Sequence, residues 1–134
     1  METVNQIEYN GALYNIQDAE SQKNLVYSQE ETDTGKIWID GKKIYRKVIQ
    51  LGQFPNKTTK LIEQDFSNVD TIVKMSAFAI SGQKDVILPL PFININNDIV
   101  TFYKIINGFV IASNVDTTGY TNGFVIFEYT KTTN

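Results

Sequence analysis

Short apolar-rich runs, cut every ~8–15 residues by a tight-turn signal, constrain this chain more than any other feature of its sequence. Asn10-Gly11, Asp40-Gly41 and Asn107-Gly108 each sit between alternating segments. Such pairs adopt the positive φ that two-residue hairpins require. Polar clusters at Pro55-Asn56-Lys57, Ser67-Asn68, Ser81-Gly82-Gln83, Asn94 to Asp98 and Asn114 to Asn122 punctuate the rest. Between them, strands are expected near Thr58 to Phe66, Thr71 to Ile80, Asp85 to Phe92, Ile99 to Ile106, Phe109 to Ala112 and Gly123 to Lys131. Pro89 and Pro91 cannot donate to a ladder, which places their run at a sheet edge or in an extended connection. In the last run Phe124, Ile126 and Tyr129 read as one apolar face, with Val125 and Phe127 on the other. Both faces are therefore expected to be covered, as in mid-sandwich or at a subunit interface. The fold class that follows is mainly β: an antiparallel, jelly-roll-like β-sandwich.

The first 34 residues read differently. Gln6 to Ile16 form a small hairpin around Asn10-Gly11, with Ile7 and Tyr9 on one arm and Tyr14 and Ile16 on the other. Asp18 is a plausible N-cap for a short helix reaching Tyr27. Ser28 to Gly35 is polar and acidic and reads as a linker. The organisation expected is an N-terminal arm over 1–34 and a β-sandwich head over 35–134. An isolated hairpin is marginal in water, so the arm needs a surface to pack on.

Composition narrows the chemistry. The chain has 134 residues, 42% of them hydrophobic, enough for one domain with a core. It contains no cysteine and no histidine. That removes disulfides, thiolate nucleophiles, the usual zinc sites and the commonest general base. Twelve basic and fifteen acidic residues are mixed along the chain, which leaves no basic stripe for nucleic acid. The apolar runs are too short to span a bilayer, and Met1 to Gln6 has no secretory character.

Carboxylates are the remaining acid–base candidates. Glu30, Glu31 and Asp33 fall in the linker, and Asp65, Asp70 and Asp85 fall beside turns, where acidic residues are ordinary. A glycosidase-type pair at fixed spacing is not legible. Asn94-Ile95-Asn96-Asn97-Asp98 offers oxygen ligands but lacks a full calcium-loop signature, so a polar hairpin turn is expected. No cofactor, metal or catalytic residue is expected. Trp38, with Ile39, Ile44 and Tyr45, is expected in the core or a subunit interface, ahead of sugar stacking. Tyr120, with Thr118 and Asn122 in a loop of Thr, Gly and Asn, is the best candidate for glycan contact, since amphipathic rings with adaptable polar neighbours suit recognition.

Two stretches resemble bacteriophage virion proteins. Trp38-Ile39-Asp40-Gly41-Lys42-Lys43-Ile44-Tyr45-Arg46-Lys47-Val48 is similar to a W-I-D-G-K-x-[I/L]-Y-x-K segment of tail fibre, baseplate and head fibre C-terminal domains. Leu51-Gly52 with Pro55 to Lys60, Ser67 to Val73, and Gly119 to Lys131 continue the likeness. Ile7 to Ala19 resembles a shorter I-x-x-x-G-x-x-Y-x-I-x-D-A element near the N-termini of phage structural proteins, although Glu20 to Lys23 lack the arginine often found there. The resemblance implies a homotrimer held to another virion protein, capsid or tail, by an arm using Ile7, Tyr9, Tyr14, Ile16 and Asp18. Trp38, Ile39, Ile44 and Tyr45 would then lie in the trimer interface or the core. It implies a structural, non-enzymatic virion protein assembled in the bacterial cytoplasm, which aids adhesion to host-surface glycan. Arm and head without a long shaft favour a head fibre over a tail fibre, baseplate receptor-binding protein or capsid decoration protein.

Overall fold

The structure is a computed structural model that describes residues 6–9, 12–15 and 26–133. Every regular element among them is a strand, and two antiparallel sheets pack together into a sandwich. The larger sheet has the order β3-β4-β11-β6-β7, from β3 (Thr32–Ile37), β4 (Lys43–Gln50), β11 (Tyr120–Lys131), β6 (Val69–Ser81) and β7 (Ile87–Leu90). The smaller has the order β5-β10-β9-β8, from β5 (Thr59–Glu63), β10 (Gly108–Ser113), β9 (Ile99–Ile105) and β8 (Phe92–Ile93). β1 (Gln6–Tyr9) and β2 (Ala12–Asn15) form a separate antiparallel pair that sets Ile7 opposite Tyr14 and Tyr9 opposite Ala12. Ile16, Asp18 and most of the expected helix lie outside the described residues.

The core is aromatic because the two central strands carry their rings inward at period two. Phe127 and Val125 of β11 face Phe109 and Ile111 of β10, all essentially without solvent exposure. Phe109 stacks on Phe102 at 5.1 Å and meets Phe127 and Phe66 edge-on at 5.5 and 5.3 Å. Edge-to-face and offset pairs of this kind add to their area burial. Tyr129 points inward too and stacks on Phe127 at 5.1 Å. This corrects its assignment to the face of Phe124 and Ile126, since strict alternation separates even from odd positions. Phe124 instead meets Phe78 on the outer side, 5.9 Å between centroids.

Three further expectations are corrected. The stretch read as a linker is structured: Thr32–Ile37 is the edge strand β3, and the Val48 amide donates to the Ser28 carbonyl at 2.9 Å. Tertiary pairing with β4 overrides its polar composition, so the boundary at 34/35 cuts a strand. The Asp40-Gly41 hairpin is not a two-residue loop. Trp38 and Lys42 close three residues, with Gly41 alone at positive φ (+87°), the turn-plus-bulge form. At the other Gly pair, Ile105 stands opposite Gly108, so Ile106 and Asn107 make the loop and Gly108 begins β10.

Pro89 lies in the edge strand β7, as its missing donor demands. Across the cis Leu90-Pro91 bond the chain leaves the larger sheet and enters the smaller. The sandwich thus has two ends. One carries the Trp38–Lys42 turn, the 64–68 loop and the Ile106-Asn107 turn, tied by Lys42 to Asp70 at 2.8 Å and by the Gln64 amide to the Asn107 carbonyl at 3.0 Å. The other carries the 51–57 loop, the Asn94–Asp98 turn and the 114–119 loop.

Candidate functional site

At the first end, hairpin geometry displays Ile39 rather than burying it. Its side chain is 90% exposed, whereas Tyr45 turns from β4 toward the core, Ile44 is buried on the opposite face of that strand and Trp38 is half-buried beside the turn. Tyr45 packs against the core beside Tyr129 at 6.3 Å, and Ile44 is buried away from the main cluster. The sequence had grouped these four residues, yet strand alternation sends them to different environments.

Beside them lies a small polar recess of about 110 Å³, lined in part by Glu31, Lys47, Asp65, Asn68, Tyr129 and Lys131. The Tyr129 hydroxyl donates to Glu31 Oε1 at 2.6 Å, and Lys131 Nζ donates to Oε2 at 2.5 Å. Burial pushes the Glu31 carboxyl up, but the bonds from Lys131 and Tyr129 outweigh it and hold the group below the ordinary glutamate range. Burial, then the bonded Glu31, keeps the Tyr129 hydroxyl protonated far above the usual tyrosine range. The Glu31 bond also holds Lys131 charged to higher pH. The Tyr129 hydroxyl and both Glu31 oxygens are engaged with partners. The cluster fastens the segment before β3 to the last strand.

Other carboxylates are also engaged. Asp70 pairs with Lys42, and Asp85 accepts from the Ser81 hydroxyl at 2.7 Å. Asp65 accepts from the Ser67 amide at 2.8 Å, and bonding to Ser67 lowers its pKa. The Asn94–Asp98 segment is a closed hairpin turn with Asn97 at φ +62°. Asn94 Oδ1 accepts from the Asn96 and Asp98 amides at 2.9 and 3.0 Å, so its oxygen serves the turn. Among the described residues no group of three or more acidic side chains gathers as a metal would need.

At the second end the structure assembles a cleft of about 250 Å³. Its floor is apolar, from Leu88 and Val100, and its sides include the rings of Phe92 and Tyr120. Asn94, Asp98 and Asp116 supply polar atoms. Tyr120 is placed by the hydrogen bond its amide donates to the Thr117 carbonyl and by its ring against Phe54, 6.3 Å between centroids. Thr118 and Asn122 do not line the cleft. The Thr118 hydroxyl and amide donate to Asp116 Oδ1 at 2.7 and 2.9 Å, and Asn122 Oδ1 accepts from the Gly52 amide at 3.1 Å. They shape the loops around Tyr120. Phe92, Asp98 and Asp116 had no local signal beyond turn composition, because they meet only when β8, β9 and β11 come together.

The outer face of the smaller sheet is unusual in a different way. Registers place Thr59-Ala112-Thr101, Leu61-Val110-Tyr103 and Glu63-Gly108-Ile105 in rows across it, with Ile93 and Ile99 adjoining. Leu61 and Tyr103 are 46% and 45% exposed. Glu63 is the one charged residue of these rows, in a chain that is 20% charged. No protein-family model matches the chain, and no curated protein or solved structure matches it significantly.

Proposed function

We propose that this chain is a short, non-enzymatic bacteriophage virion appendage, a homotrimeric fibre mounted on the virion that aids adhesion to host-surface glycan. The observation that carries the reading is the outer face of the smaller sheet, whose rows hold Glu63 as their one charged residue. A solvent-facing strand surface ordinarily alternates to polar and charged residues, and this one presents Leu61, Tyr103, Ile93 and the half-buried Ile99, with Val110 covered between Leu61 and Tyr103. At ~4.8 Å between strands and ~3.3 Å per residue the rows cover roughly 300 Å² in projection. The occupant that suits it is a second copy. Around a three-fold axis three such faces meet, and a face whose one charge, Glu63, lies at its end brings little repulsion. Support of a separate kind comes from the W-I-D-G-K segment and its continuation, which resemble head fibre, tail fibre and baseplate proteins.

Within this reading the head fibre is favoured, with the β1–β2 arm as the attachment to another virion protein. Tail fibre or baseplate receptor-binding protein is the alternative, and a decoration protein without receptor binding is the third. Sedimentation equilibrium of the full chain tests assembly. The expected mass is three chains, falling to one in Leu61→Lys/Tyr103→Lys, whose sites are half-exposed and tolerate the change. A monomer at all concentrations would overturn the reading. Electron cryomicroscopy of virions then separates the locations: density on the shell supports the head fibre, and density at the tail tip supports the receptor-binding alternative.

A further inference from the structure

The geometry points to the Tyr120 cleft as a binding site for one neutral pyranose ring, held by hydroxyl-to-carboxylate hydrogen bonds at Asp98 and Asp116. This deepens the adhesive part of the reading above and rests on it. The argument starts from what the cleft can accept. Asp98 Oδ2 accepts from Asn94 Nδ2 at 3.0 Å, and Asp116 Oδ1 accepts from Thr118. In each carboxylate one oxygen is pinned and the other, Asp98 Oδ1 or Asp116 Oδ2, has no partner among the described residues. Both are therefore oriented in advance, acceptor-only groups. A complementary ligand must donate hydrogen bonds, and a ring of hydroxyls does so.

The apolar surface sets the second requirement. Leu88 and Val100 form a dry floor, and Phe92 and Tyr120 offer ring faces. A pyranose has a C–H face to lay on them and hydroxyl edges to turn toward the carboxylates. Size and charge complete the description. At about 250 Å³ the cleft lies below the ~300–1,000 Å³ of drug-sized sites, so it takes one ring and leaves the rest of a glycan outside. No lysine or arginine lines it; Lys57 acts on Asp116 from outside the lining, and the two carboxylates in the wall disfavour acidic sugars. The cleft therefore selects neutral over acidic glycans. One ring with a few hydrogen bonds binds weakly, in the ~mM range, and a trimer raises this by avidity.

The test is an amide-shift titration of the ¹⁵N-labelled full chain with glucose, galactose and N-acetylglucosamine, and in parallel with N-acetylneuraminic acid and lysine amide. Expected are saturable shifts at Asn94, Asp98, Asp116 and Tyr120 with at least one neutral sugar, and none there with the acidic sugar. Asp98→Asn and Asp116→Asn should each weaken binding by about tenfold while the remaining amide spectrum stays in place. Shifts mapping to the Trp38–Lys42 end would overturn the cleft assignment and leave adhesion standing. Preference for lysine amide would overturn the sugar assignment. Absence of shifts with all five probes would overturn the site and the adhesive reading together, while sedimentation decides assembly independently.

Discussion

Gly123 shows how much one position can decide. A Cβ there would lie 2.5 Å from the Phe78 carbonyl oxygen and 2.8 Å from the Phe54 ring. Glycine lets Phe54 close over the central strand, and Phe54 in turn supports Tyr120. Gly123→Ala is expected to cost ~1–3 kcal/mol through overpacking, seen as a lower urea midpoint with unchanged slope. Phe109→Ala should cost more, ~3–5 kcal/mol, because the ring is fully buried among Phe66, Phe102 and Phe127. That is a large part of the stability of a typical domain, so calorimetry should show little or no cooperative transition. Glu31 carries a pH signature. Its folded pKa lies below the ordinary 4.5, so the stabilisation is present above that value and lost as pH falls through the folded one. Between about pH 5 and pH 3 the melting temperature of Glu31→Gln should fall less than that of the parent chain.

Elements here are decided by their turns. Among the described residues, three outside glycine hold positive φ: Lys57 (+54°), Lys84 (+64°) and Asn97 (+62°). Asparagine suits the left-handed region, and a lysine there is strained by ~1 kcal/mol. Lys84→Gly in the 82–86 turn should therefore stabilise by up to ~1 kcal/mol, measured as a raised denaturation midpoint. Gly41→Ala should act in the opposite sense, since φ of +87° is open to glycine at no steric cost. These hairpins were visible in sequence as Asp-Gly and polar clusters. Their loop lengths were not, because Asp40-Gly41 fits both a two-residue loop and a three-residue loop with a bulge, and only the cross-strand register selects between them. Edge strand β3 was invisible for a related reason. Thr32-Asp33-Thr34-Gly35 has no apolar alternation, and its order comes from pairing with β4.

At the scale of the molecule, sequence order and sheet order diverge. β11, last in sequence, lies between β4 and β6, and β10 lies between β5 and β9. Closing these pairs requires loops that span much of the chain, the kind of topology that folds on millisecond-to-second timescales. The same interleaving creates both surfaces on which the functional reading depends. The outer face of the smaller sheet needs β5 beside β10, residues ~50 positions apart in register such as Leu61 and Val110. If that face joins copies, stability must depend on concentration. A tenfold dilution should lower the melting temperature of the parent chain and leave that of Leu61→Lys/Tyr103→Lys unmoved.

The amino-acid sequence by itself determined the class of fold, the positions of most strands, the grouping of Val125 with Phe127 on one face and the exclusion of Pro89 from a central ladder. Each rests on local physics: side-chain alternation, turn geometry and a missing backbone donor act within a few residues. The tertiary structure alone decided the rest. It placed Tyr129 against Phe127 and fastened Glu31 to Tyr129 and Lys131 across ~100 residues. It also left Thr118 and Asn122 serving the loops while Phe92, Asp98 and Asp116 joined Tyr120 around one cleft. Those contacts depend on which strands lie side by side, and that is settled by the packing of two sheets over a shared aromatic core.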